Sequence, residues 1–399
     1  MVIKRREFLQ VGSLATASFM IPKFLKAFEG GTMVPPGNKV VVVLQLSGGN
    51  DGLNTVIPVR NDIYYRSRPA LGIQQANALT VTDEVGLHPA LTSFADAFHD
   101  GSLGILNGVG YPNPDRSHFR SMDIWHTASQ SNEYLHTGWL GRYLDAQCNG
   151  CDKPTQALEM DDLLSLALKG ERENGLALKD PKRLFGTSNE KFFKDLAAHH
   201  TTHHDERPVD YLYKTMANTI SSADYIFRQS KMSPAKGAYP STELGKSLRT
   251  IASLILSDIN TKVYYVSLGS FDTHVAQQGQ QKRLFQEMND AVGAFTKEMK
   301  GAGRFNDVLL FTFSEFGRRV AQNRSGGTDH GTANNMFFIS GGLKEKGMLN
   351  VMPDLSDLDE GDLKYTIDFK NVYATVLDNW LKADDQKILG TRYDKLKFL

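Results

Sequence analysis

Five short runs of β-branched, aromatic and aliphatic residues constrain this chain most: VVVVLQL at 40–46, LGILNGV at 103–109, KVYYVSL at 262–268, VLLFTF at 308–313 and MFFIS at 336–340. Each is strand-length and ends near a glycine or an acidic residue. Near-continuous apolar runs of this kind suit strands buried on both faces, as in a parallel sheet. Between them, 243–256, 281–299 and 371–382 carry apolar residues spaced by three and four, the mark of helices laying one face on a core. Strands alternating with helices specify an α/β fold, a doubly wound and mostly parallel sheet, in a single domain over 38–399. Residues 170–237 break the rhythm with few strand signals and many charges. They read as a helical insertion, with helices expected around 189–198 and 209–229.

Charge and cysteine content exclude several functions. Among 399 residues, 45 basic and 45 acidic side chains cancel, so the chain lacks the basic excess that nucleic acid binding requires. Two cysteines support neither a disulfide framework nor a thiolate zinc site of the usual four ligands. Cys148 and Cys151, in CNGC, read most simply as a small loop disulfide, with a redox role as the alternative.

The first 26 residues, MVIKRREFLQVGSLATASFMIPKFLK, join a basic cluster to an apolar, small-residue run ended by Pro22. That is the layout of an export signal, and the run is shorter than the ~20 residues a bilayer-spanning helix needs. Arg5 and Arg6 followed by Phe8 and Leu9 resemble the twin-arginine signal, whose pathway carries folded proteins. Residues 1–30 are therefore expected to direct the protein to the periplasm or beyond, with no transmembrane span outside this segment.

In an open α/β sheet, ligands bind beyond the carboxyl ends of the strands. Here those exits carry SGGNDG at 47–52, SFDTH at 270–274, SEFGRR at 314–319 and TDHG at 328–331. Asp51, Asp272, His274, Glu315 and His330 thus gather where a site is expected. Oxygen and imidazole donors suit a divalent metal such as zinc, manganese, magnesium or calcium, and the lack of thiolates disfavours copper(I) and iron–sulfur clusters. Singly, each has a plainer reading: Asp51 as a helix cap, Glu315 as the partner of Arg318 or Arg319.

From Val40 to about Gly342 the chain resembles the exported bacterial family named domain of unknown function 1501. The segments that carry the likeness are LQLSGGNDGLNTVIP, LHPAL, RSHFRSMDIWHT, TGWLGRYLD, SFDTHVAQQ, FSEFGRR and GTDHGTANNMFFISG. That family is distantly similar to the alkaline phosphatase and sulfatase superfamily. The resemblance implies one or two metal ions at the strand ends and a hydroxyl nucleophile at a helix N-terminus. Asp51 matches the first-strand metal aspartate, Asp272 and His274 the aspartate–histidine ligands, and His330 the late histidine. Glu315 takes the place of the aspartate in an Asp-His pair. Phe316 stands where that pair has histidine, and Asp272 and His274 are two residues apart instead of four. One metal on Asp272, His274 and His330 is therefore expected, with Asp329 orienting His330.

Ser117 falls where the nucleophile should lie. Pro112, Pro114 and Asp115 interrupt the chain, and Phe119, Met122 and Trp125 begin a helical spacing, which puts Ser117 at a first turn that favours anions. A simple N-cap is the plainer reading. Arg116 and Arg120 either fork onto anionic oxygens or pair with Asp115 and Asp123. His118 is the leaving-group acid or a further ligand. His88 and His126 either line the site or are structural. His199, His200, His203 and His204 offer i,i+4 pairs but read better as a solvated tract, and the glycines after the first strand lack dinucleotide spacing. Two functions follow: an exported metal-dependent hydrolase acting on a small anionic phosphate or sulfate ester, or a catalytically degenerate exported protein that binds a protein partner or assists assembly. If residues 1–30 act as stated, replacing both Arg5 and Arg6 by lysine should abolish delivery to the periplasm in cell fractionation. Normal delivery of that variant would refute the twin-arginine assignment.

Overall fold

A computed structural model of the protein describes residues 38–147, 155–191, 195 and 207–399. The segment 1–30, Cys148 and Cys151, the four-histidine tract and most of 189–198 lie outside the described residues.

The strands of the main sheet are β1 (Val40–Leu46), β2 (Leu103–Gly110), β3 (Ala157–Glu159), β4 (Leu176–Ala177), β5 (Val263–Leu268), β6 (Val308–Phe313), β7 (Asn334–Ile339), β8 (Gly347–Met348) and β9 (Ile367–Asp368). Among the described residues they form one nine-stranded sheet in the order β8-β2-β7-β6-β1-β5-β3-β4, with β9 also pairing β2. β1 lies at the centre, parallel to both β5 and β6. Its continuous apolar run is explained by where alternate residues go. Val40, Val42, Leu44 and Leu46 enter one core, while Val41 and Val43 enter another on the opposite face. A strand buried on both sides has no polar face to display.

The first face is covered by α3 (Thr92–His99), α8 (Glu243–Leu256) and α9 (Gln277–Gly301), which bring Phe94, Leu248, Ile251, Phe285 and Met288 onto the sheet. The second is covered by α4 (His118–Thr127), α5 (Trp139–Gln147) and α10 (Phe369–Thr375). There Trp125 is stacked between Phe313 and Phe369. α1 (Gly52–Thr55) and α2 (Asp62–Ser67) pack a third, smaller core around Leu53, Ile57, Tyr64 and Val320. In the expected insertion, β4 joins the edge of the main sheet, followed by α6 (Pro181–Ser188) and the long α7 (Arg207–Met232). Of the expected 189–198, the described residues 191 and 195 are helical.

One strand runs against the rest: β7 is antiparallel to β6 and β2. A parallel strand would need a crossover helix after β6, and the segment joining β6 to β7 holds no helix. The chain instead turns back on itself, and the reversal carries the amino end of β7, not its carboxyl end, to the side where β1, β5 and β6 finish. The segment just before β7 holds Asp329 and His330. An isolated antiparallel bridge pairs Arg318 with His330 at the base of this return. Gly331 permits the approach, since a Cβ there would lie 2.6 Å from the Arg318 carbonyl carbon. Gly331→Ala is accordingly expected to lower the thermal midpoint by several degrees and loosen the site, readable as faster amide exchange at 318–330. Unchanged melting and exchange would count against this close approach.

Candidate metal centre

His118 enters from the start of α4, Asp272 and His274 from the loop after β5, and His330 from the segment before β7. Their imidazoles close around one carboxylate. His274 Nε2 and His330 Nε2 lie 3.0 and 3.2 Å from Asp272 Oδ1, and His118 Nε2 lies 3.5 Å from Asp272 Oδ2. The His274 and His330 Nε2 atoms are 3.0 Å apart. Ligand atoms of His118, Asp272 and His330 all fall within 4.8 Å of one another.

The other nitrogen of each ring has an acceptor. His118 Nδ1 meets Glu315 Oε1 at 2.9 Å, His274 Nδ1 meets Asp329 Oδ1 at 3.0 Å, and His330 Nδ1 meets the Arg116 carbonyl at 2.8 Å. A carboxylate and a carbonyl only accept, so each Nδ1 donates, and a ring in its neutral form then turns an Nε2 lone pair inward. With the three rings neutral the interior is lined by lone pairs at close range, and His118 Nε2 is buried without a hydrogen bond. Such a set is repulsive alone and complementary to a cation. Imidazoles oriented by outer carboxylates are also the usual surroundings of a bound divalent metal. The donors therefore fit a metal ion.

Charges and hydrogen bonds around the cluster keep Asp272 and Asp329 ionised. Partial burial would raise the Asp272 carboxyl, but the hydrogen bond and charge of Arg318, together with the contact to His330, hold it down at about 2. The hydrogen bond to Glu315 raises His118 above an ordinary imidazole, against the opposing effect of burial. Hydrogen bonds from Asn323 and His274 lower Asp329.

Arg318 anchors the whole arrangement from beneath. Its guanidinium donates to Asp272 Oδ1 at 2.7 Å, to the Phe271, Gly49 and Thr328 carbonyls at 3.0, 2.6 and 2.9 Å, and to the Gly48 carbonyl. Its side chain is wholly buried. Gly48 has φ of +117°, and a Cβ there would lie 2.5 Å from the Asp272 amide, so only glycine lets these two loops touch.

The remaining expected residues occupy distinct positions. Glu315 is buried behind the cluster, accepting from His118 and from the Gly48 amide at 2.8 Å, and pairs with neither Arg318 nor Arg319. Asp51 is sealed elsewhere. One oxygen takes Arg68 at 2.6 Å and also Gln277, and the other is buried without a partner. Ser117 is the N-cap residue of α4, and its side chain makes no capping bond; Asp115 accepts from its amide at 2.6 Å. The Arg116 guanidinium closes on Asp362, so this residue serves the cluster through its carbonyl. Arg120 is turned away, bracing the Gln130, Ser131 and Glu133 carbonyls and lying 3.8 Å over the Tyr134 ring. Phe316 packs its ring 4.9 Å from His118 and 4.7 Å from His330. His88 accepts from the Ala90 amide and His126 meets Tyr265, so both are structural. Sequence reasoning missed the organising roles of Arg318 and Asn323, which no local pattern announces.

The sequence of residues 38–391 matches the profile of a family described as protein of unknown function, DUF1501. The chain belongs to the DUF1501 family. No curated protein matches this DUF1501 protein in sequence. Among solved structures, a sulfatase, PsFucS1 from Pseudoalteromonas sp., is 11% identical, with 92% of this chain and 71% of that one covered at a TM-score of 0.39. A phosphonate monoester hydrolase, SpPMH from Silicibacter pomeroyi, is 8% identical, covering 90% and 77% at 0.39. The lipoteichoic acid synthase LtaP from Listeria monocytogenes is 9% identical, covering 94% and 79% at 0.36.

Arg318→Met should cost about 3–5 kcal/mol, the usual penalty for leaving a buried charge partner and several carbonyls unpaired. Urea unfolding measures it. A loss below 1 kcal/mol would show that the guanidinium is not the anchor.

Proposed function

We propose that this DUF1501 protein is an exported, metal-dependent hydrolase of phosphate or sulfate esters. The observation that carries the reading is the ring of Nε2 atoms around the Asp272 carboxylate, each imidazole fixed by an acceptor at Nδ1. His118, Asp272, His274 and His330 would hold the ion. A set dominated by imidazole favours zinc over manganese, magnesium or calcium. Bound there, the metal would supply Lewis acidity to an ester oxygen and lower the pKa of a nearby hydroxyl.

The chain's own residues supply the rest. Ser117 is bracketed by Arg116, whose carbonyl holds His330, and by His118. Its hydroxyl is exposed and makes no capping bond, which leaves it available as nucleophile. The unpaired amides at the first turn of α4 would stabilise charge developing on the transferring group. With the Arg116 and Arg120 side chains engaged elsewhere, the helix end carries that task. His118 acts here as a ligand, since both ring nitrogens are directed within the cluster. Asp51 and Glu315 fill supporting positions, in keeping with a single ion.

A second reading, an exported binding or assembly protein, is favoured by the apolar Phe316 packed against two of the histidines and by the sealing of Asp51.

Asp329→Ala should weaken metal affinity by about 10–100-fold through loss of the His274 orienting bond, and His330→Ala should reduce bound metal to a small fraction of one equivalent, both by elemental analysis and competition titration. Full stoichiometry and affinity in both variants would place the ion elsewhere. In metal-loaded protein, Ser117→Ala should abolish ester turnover and leave metal binding intact. Turnover equal to wild type would remove Ser117 from the reaction, and a metallated wild type inert on every phosphate and sulfate ester would favour the second reading.

A further inference from the structure

A cavity of about 460 Å³ opens beside the histidine cluster, and the two share one wall. Glu315 and Phe316 form it: Glu315 holds His118 from behind, and the Phe316 ring lies against His118 and His330. Tyr111 and Pro114, from the segment between β2 and α4, also line the cavity, as do Leu363, Lys364 and Tyr365, from the hairpin that follows β8 and the residues just after it. Cavities of this size, ~300–1,000 Å³, hold small organic ligands.

The wall decides what can enter. Tyr111, Trp125, Phe316, Leu363 and Tyr365 present carbon-rich surface, with Tyr365 39% exposed at the mouth. The charged groups of the lining are Glu315, Asp359 and Lys364, and the lysine is paired with Asp357. The two arginines that approach this hairpin, Arg116 and Arg319, both close on Asp362. An anion placed here would meet two carboxylates and no uncommitted cation, so it would be repelled. An uncharged ring would bury apolar surface at roughly 25 cal/mol per Å².

We infer that this cavity receives the alcohol portion of the ester, and that this portion is uncharged, carbon-rich and ring-bearing. The assignment rests on the hydrolase reading and deepens it: the anionic phosphoryl or sulfuryl end stays with the histidines and the helix end, and the neutral end passes over Phe316 into the cavity. Esters of polyanionic alcohols are excluded by the same wall.

The test uses the full metal-loaded chain with benzyl, 4-carboxybenzyl and ethyl phosphates and the matching sulfates, whose alkyl leaving groups limit differences in intrinsic reactivity. Calorimetry with benzyl alcohol gives a readout independent of turnover. Benzyl alcohol is expected to bind, and the benzyl ester to exceed the 4-carboxybenzyl ester at least tenfold in kcat/KM. Tyr365→Ala, at the exposed mouth, should weaken benzyl alcohol binding and shrink the benzyl-to-ethyl ratio several-fold. Ala333→Leu, which fills the cavity from within, should do the same more strongly. Ester hydrolysis without benzyl alcohol binding, or with benzyl-to-ethyl ratios unchanged in both variants, overturns the inference and leaves the hydrolase reading standing. Equal use of benzyl and 4-carboxybenzyl esters overturns the exclusion of charge. Binding of benzyl alcohol with no hydrolysis of any ester overturns the leaving-group assignment together with the hydrolase reading.

Discussion

The buried guanidinium of Arg318 is the contact on which the rest of the site depends. It gathers carbonyls from the loop after β1, the loop after β5 and the return before β7, and neutralises the Asp272 carboxylate in the same stroke. Three chain segments far apart in sequence would otherwise meet as polar backbone with no partners, which is costly in a buried setting. Arginine suits the task because its planar fork offers five donors and stays charged. A lysine would reach fewer acceptors with a point charge.

Above that anchor, the histidines are held by a second set of acceptors. Glu315, Asp329 and the Arg116 carbonyl orient the three rings so that every Nε2 is directed to one volume. The two sets divide the work, Arg318 fixing where the loops lie and the outer acceptors fixing how each ring is turned. Asp51, by contrast, is neutralised by Arg68 in a separate buried pair near the third core. The site is thus built around one focus, and the carboxylate of the first strand end serves the framework.

The architecture was largely legible because its signals are local. Continuous apolar runs identified β1, β2, β5, β6 and β7, and the three-and-four spacing placed α8 and α9 to within a few residues. The gathering of Asp272, His274 and His330 followed from one rule about strand ends. What escaped was set by tertiary contact. The reversal of β7 depends on a connection too irregular to form a crossover helix, and an apolar strand reads alike in either direction. Which arginine meets which carboxylate depends on burial: Arg318 went to Asp272 and Arg319 to Asp362, while Glu315 took a histidine. His118 was legible as a neighbour of Ser117, but its place among the ligand atoms needed the start of α4 to be set against Glu315.

The backbone bridge between Arg318 and His330 gives this return a mechanical character. One residue anchors the loops from below and the other supplies an inward Nε2, yet they are the two sides of one bridge and share Asp272 Oδ1. A shift in either would be transmitted to the other through a few rigid bonds. The two therefore behave as a single part with two ends, and damage at both should amount to much less than the sum of the separate injuries. For a site assembled from loops, that indivisibility provides the stiffness that a regular strand would otherwise lend.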